Sequence, residues 1–156
     1  MKKQLCFTLI VILAFASCND NSKKANANVA EQEEIKEYTL EGAWEIDSYI
    51  NYRGDSVDTI HSSNDIKQMK MFSKTKVMWS KLRAWDSLDW FGVGYYTYKD
   101  GILTEVLEYG SKPMRSRIAS KVPFDFDIVI DENSYTQIET DSLGHPIYAE
   151  TYHRVK

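Results

Sequence analysis

Between Leu40 and Lys156 apolar side chains alternate with polar ones far more often than they recur at helical spacing. Along 40–50, Trp44, Ile46 and Ile50 fall on one face and Ala43, Glu45, Asp47 and Tyr49 on the other, the period of two that marks a half-buried strand. The cleanest alternation lies at 121–131, with Val122, Phe124, Phe126, Ile128 and Ile130 on one side and Asp125, Asp127 and Asp131 on the other. Turn residues interrupt the pattern roughly every eight to twelve positions, as in all-β barrels and sandwiches. The runs between them predict strands at 41–52, 56–61, 66–73, 76–82, 90–99, 102–109, 121–131, 134–140 and 147–155. Asp100-Gly101 is a type I′ signal for a tight hairpin. Segment 83–89 reads as a loop, with a short helix as the alternative because Trp79, Leu82, Trp85 and Leu88 recur every three residues. Pro113, Pro123 and Pro146 sit at the ends of runs, where a missing donor costs little.

Short connections imply antiparallel neighbours, and a meander of this length removes its exposed edges by closing on itself. The expected fold is therefore all-β: an antiparallel up-and-down meander barrel of about 8–10 strands, sealed where the strand that follows Leu40 meets the last one. A barrel of about eight strands either fills with side chains or holds one small ligand.

The first 39 residues lack this pattern. Met1-Lys2-Lys3 followed by the apolar run Leu5 to Ala16 has the layout of an export signal, too short to span a bilayer. The run ends in Phe15-Ala16-Ser17-Cys18, which resembles a bacterial lipoprotein signal. That resemblance implies that 1–17 is removed and that Cys18 becomes the lipidated first residue. It further implies a chain tethered to a membrane of the cell envelope, the outer membrane in a diderm host. The competing reading is an ordinary signal cut after Ala16 or Ser17, which leaves one free exported cysteine. Residues 18–39 are polar and linker-like, and 40–156 form the domain.

Composition narrows the classes of function. Both cysteines, Cys6 and Cys18, precede the domain, which excludes a disulfide, a thiolate metal site or a thiol nucleophile within it. The formal charge of −4 becomes more negative once Lys2 and Lys3 are gone, which argues against nucleic acid as a partner. His61, His145 and His153 have no metal-ligand spacing, and neither a phosphate loop nor a nucleophile elbow occurs. No catalytic residue, metal or cofactor is expected.

Gly42-Ala43-Trp44 is similar to the Gly-x-Trp on the first strand of lipocalins, and Arg154 to the basic residue that packs over that Trp. Met78-Trp79, the run Tyr95-Tyr96-Thr97-Tyr98 through Leu103-Thr104-Glu105, and Glu150 to Arg154 resemble small lipocalin-like lipoproteins of Bacteroidetes-type bacteria, whose activity is mostly unknown. The resemblance covers roughly 40–156 and implies a lipocalin-like barrel closed by Gly42, Trp44 and Arg154, with a possible cavity.

A two-residue turn at Asp100-Gly101 pairs Tyr98 with Leu103, Tyr96 with Glu105, Gly94 with Leu107 and Gly92 with Tyr109 on one face. If that face is inward, Glu105 is a buried acid that needs Tyr96 or an arginine such as Arg115 or Arg117 as partner. With Trp79 from the preceding strand, Tyr96, Tyr98, Glu105, Leu107 and Tyr109 are the candidate ligand contacts. The leading expectation is a small, mostly apolar ligand. The alternative is a filled barrel that holds a protein or glycan through outer aromatics such as Tyr49, Tyr52, Tyr148 and Trp85.

Overall fold

The structure, a computed structural model, describes residues 37–85 and 88–156. The signal segment, Cys18 and most of the tether lie outside them. Among the described residues the strands are β1 (Gly42–Arg53), β2 (Ser56–His61), β3 (Ile66–Phe72), β4 (Lys76–Arg83), β5 (Trp90–Lys99), β6 (Ile102–Gly110), β7 (Phe124–Ile130), β8 (Ser134–Thr140) and β9 (Pro146–Arg154). Each pairs antiparallel with its neighbour from β3 onward, and β9 returns to β1, so that eight strands close an up-and-down barrel. β2 stands outside the ring. The first part of β1, Gly42–Glu45, pairs with β3, whereas Ser48–Arg53 pairs with β2.

One end of the barrel is plugged by aromatics. Trp44 is fully buried, meets Tyr135 edge-on at 4.8 Å, and Tyr135 stacks on Tyr152 at 4.8 Å. Such edge and offset arrangements follow the ring quadrupoles. The indole N–H, which burial would otherwise leave unsatisfied, donates to the Leu40 carbonyl at 2.7 Å. Arg154 lies over the outer face of the indole at 3.9 Å. Its guanidinium donates to the carbonyls of Glu41 at 2.7 Å, Thr39 at 2.9 Å and Glu132 at 2.9 Å. Gly42 passes beneath this group at φ 128°, where a Cβ would stand 2.8 Å from Arg154 Nη1. Both the backbone conformation and the space call for glycine there.

Two β-bulges correct the strand faces read from alternation. In β1 the pairing with β9 shifts between Ile46 and Ser48, so Asp47 is an extra residue and the faces swap beyond it. Tyr49 turns into the barrel opposite Glu150 instead of outward, and Ile50 no longer faces inward with Trp44. In β6 the shift between Val93 and Gly94 makes Glu108 the extra residue. Gly92 pairs with Gly110, not Tyr109, and Tyr109 is 59% exposed on the outer wall. The chain also departs from the expected strand at 121–131. A 3₁₀ turn, Lys112–Met114, and a short helix α1, Arg115–Ser120, precede β7, and Val122 is exposed. Lys121 ends the helix in the left-handed region at φ 53°.

Arg154→Ala removes three hydrogen bonds and the cover over Trp44. It is expected to lower the unfolding free energy by about 2–4 kcal/mol in urea titrations. Arg154→Lys recovers only part of that, because an ammonium cannot reproduce a planar fork.

Candidate functional site

Opposite the Trp44 end, the barrel opens into a cavity of about 250 Å³. Its walls come from inward positions of β3 to β9, with Met114 from the 3₁₀ turn at the rim. Trp79, Trp90, Leu107, Phe124 and Phe126 supply apolar surface. The indole of Trp79 lies directly against Gly92, where a Cβ would come within 2.8 Å of the ring. Glycine at 92 therefore gives the tryptophan its place in the wall.

The floor is polar. Glu150 on β9 accepts from Tyr152 at 2.5 Å, Gln137 at 2.9 Å and Gln68 at 3.3 Å on one oxygen, and from Tyr148 at 3.1 Å on the other. Gln68 also donates to Tyr152 at 2.6 Å and accepts from Tyr49 at 2.8 Å. Burial, followed by the Glu150 charge, pushes the phenols of Tyr49, Tyr148 and Tyr152 well above their ordinary range, which keeps them protonated as donors. This connected network is what allows an acid to be almost fully buried. The hydroxyl of Tyr135, next to it, is buried with no hydrogen-bond partner.

Beside the network Lys70 and Glu105 form an ion pair at 2.5 Å, both side chains nearly inaccessible to solvent. Lys70 donates to Gln137 at 2.7 Å, which joins the pair to the network, and it lies over Phe72 and Phe126. Burial raises the Glu105 carboxyl above its ordinary value, with Lys70 pulling it down. The partner of Glu105 is thus Lys70, not Tyr96, Arg115 or Arg117. Tyr96 donates instead to the Ser73 carbonyl at 2.7 Å, and Arg117 lies over Phe124 at 4.3 Å. Higher on the wall, Lys81 is 3.8 Å from Glu150 and lies over Tyr49 at 4.1 Å, and Arg83 lies over Trp90 at 4.5 Å.

Of the six candidate ligand contacts, Trp79, Glu105 and Leu107 line this cavity. Tyr96 and Tyr98 pack on the aromatic core at the plugged end, and Tyr109 lies outside the barrel. Tyr49 and Tyr148, expected on the outer surface, point inward, whereas Trp85 is 67% exposed. Lys70, Lys81, Arg83, Gln68, Gln137 and Glu150 were not anticipated as a group. Their common signal is position: each is a polar residue at alternate spacing to its strand's inward apolar side chains, Phe72 on β3 and Val77 on β4.

No family model and no curated protein matches the chain. Among solved structures it is similar to an uncharacterised protein from Bacteroides eggerthii, with a TM-score of 0.48 and 14% identity over 75% of this chain and 100% of that one.

Lys70→Met leaves Glu105 buried without a cation and is expected to cost about 3–5 kcal/mol in denaturant unfolding. The double variant Lys70→Met/Glu105→Leu recovers most of the loss. The raised Glu105 pKa also fixes a sign. The folded state holds that proton more tightly than the unfolded state, so the contribution of Glu105 to stability falls as pH rises from the ordinary carboxylate value through the raised one. Melting curves of wild type and Glu105→Gln across that window should show the wild type losing ground relative to the variant.

Proposed function

We propose that the chain is a lipocalin-like barrel, anchored to the cell envelope through Cys18, that binds a small molecule in the open-ended cavity and performs no chemistry on it. The single observation that carries this reading is the cavity itself. About 250 Å³ of space lies inside a closed barrel, walled by Trp79, Trp90, Leu107, Phe124 and Phe126 and floored by hydrogen-bonding side chains. Such a division between apolar wall and a few convergent polar groups is what small-molecule sites share. It also modifies the expectation of a mostly apolar ligand. Hydrogen-bonding side chains beside an apolar wall suit an amphiphile with its polar end toward Gln68, Lys81, Gln137 and Glu150. The lipocalin-like assignment is supported by the way Gly42, Trp44 and Arg154 come together at the plugged end.

A second reading is favoured by the outer wall. Met71, Met78, Val93 and Tyr109 are paired in one row across β3 to β6, with Phe91 and Tyr95 exposed nearby. An apolar row of this kind suits contact with a protein or glycan, and it replaces the patch built on Tyr49 and Tyr148.

Native mass spectrometry of the full chain, extracted in detergent from its own host, tests both. A small amphiphile that is retained by wild type and lost from Leu107→Trp, which fills the cavity, is the expected result. A protein that co-purifies equally with both forms, with no small molecule, would replace the first reading by the second.

A further inference from the structure

The two ends of the ring differ in what their connections carry. Turns at the plugged end, 73–75, 100–101 and 131–133, read Ser-Lys-Thr, Asp-Gly and Asp-Glu-Asn, with no large apolar side chain among them. At the open end each direct connection between ring strands holds a large apolar residue out in solvent: Trp85 between β4 and β5, Val122 (49% exposed) between β6 and β7, and Leu143 (78% exposed) between β8 and β9. Antiparallel alternation puts these three connections on one side of the barrel, around the opening of the cavity. Scattered singly, such residues need no explanation; gathered at one end, they mark a contact surface.

The crossing from β6 to β7 adds charge. Between Glu108 and Asp125 the sequence carries Lys112, Arg115, Arg117 and Lys121 and no acid, in a chain whose formal charge is −4. All four side chains are exposed. Arg117 also lies over Phe124 and donates to the Pro123 carbonyl at 3.3 Å. Asp89 and Asp141 stand on the other two connections, so the positive potential is centred on 112–121, and Asp141 is itself held by the amides of Leu143 and His145. Cations beside exposed aromatic and aliphatic tips suit a bilayer surface, where Lys and Arg meet lipid phosphates and the tips enter the head-group layer. Nucleic acid would take the cations and leave the tips in water.

We infer that the open end of the barrel docks on an anionic lipid surface, with Lys112, Arg115, Arg117 and Lys121 at the phosphates and Trp85, Val122 and Leu143 among the head groups. The docking goes beyond the small-molecule reading and needs no guest in the cavity; only its reach rests on the anchor at Cys18. The domain is entered at the plugged end, where Arg154 binds the Thr39 carbonyl. From Cys18 to Thr39 an extended chain covers up to about 70 Å, against roughly 30 Å for a nine-residue strand such as β6. The tether is long enough to let the far end turn back to the membrane.

The test uses the full chain, purified in detergent from its host and reconstituted into phosphatidylcholine vesicles with or without about one-third phosphatidylglycerol, all carrying a nitroxide-labelled lipid. Trp85 reports contact, its share of the fluorescence being the difference between wild type and Trp85→Phe. The expected result is quenching of that share about threefold stronger on the anionic vesicles, with the excess lost in about 1 M salt. The triple variant Lys112→Gln/Arg115→Gln/Lys121→Asn should lose the excess as well. Asparagine tolerates the left-handed backbone at 121, and Arg117 is kept because it covers Phe124. Arg115→Gln alone should lower the excess by about half, which keeps the test open if the triple variant folds poorly. Lys74→Gln/Lys99→Gln, which removes charge at the plugged end, should leave it unchanged. Equal quenching on both kinds of vesicle would overturn the docking, as would an excess that survives in the charge variants or falls equally in Lys74→Gln/Lys99→Gln. Loss of wild type from neutral vesicles on washing would overturn the anchor instead, with salt-sensitive sedimentation on anionic vesicles still supporting the docking.

Discussion

The pairing of β1 with β9 is the constraint on which the rest of the molecule depends. Every backbone donor and acceptor of an inward-curving sheet has to find a partner, and a meander meets that demand only when its first strand receives its last. Here β1 is also shared, since β3 takes its beginning and β2 its remainder, while β9 runs along nearly all of it. The Asp47 bulge sits where β1 passes from one partner to the other. By turning Tyr49 inward it brings a phenol to Gln68, and through Gln68 to Glu150. One extra residue in the closing ladder thus helps to build the polar floor as well as to bend the strand.

That floor is expensive by the ordinary rules of packing. A buried ion pair and a buried acid with its donors contribute less to stability than well-packed hydrocarbon of the same volume would. Yet the plugged end of the same barrel shows that hydrocarbon and aromatic packing suits this chain, with Trp44, Phe72, Leu103, Tyr135 and Tyr152 in close contact. Polar side chains are thus concentrated at one end of a core that is otherwise apolar, and they surround open space there. Functional sites are where local rules of folding are expected to be broken.

The frame of the molecule was legible in its sequence, because alternation, the Asp100-Gly101 turn and the short connections are all local. At the meeting of β1 and β9, Trp44 pairs with Arg154, and the guanidinium lies over the indole. The bulges were not legible. Asp47 and Glu108 look like any outward polar residue, and an inserted position reveals itself only by what its strand pairs with, which is why Tyr49 and Tyr109 changed faces. The interior of β3 and β4 was misleading for a different reason. Over Gln68-Met69-Lys70-Met71 and Lys81-Leu82-Arg83 the usual assignment is reversed, with Met69, Met71 and Leu82 turned outward and the polar residues inward. Alternation gives the period but not which face is wet. Deciding that requires knowing that Glu105, on a distant strand, needs a cation at the height of Lys70.

The separation of the two ends has a consequence for how such a scaffold can vary. The seal is made by residues near Leu40, Gly42, Trp44 and Arg154, while Arg83, Trp90 and Glu139 stand at the far opening. Side chains at that opening take no part in shutting the ring, so they can be exchanged for others without undoing the architecture. A chain of this design can rewrite its mouth alone, its closure carried over intact.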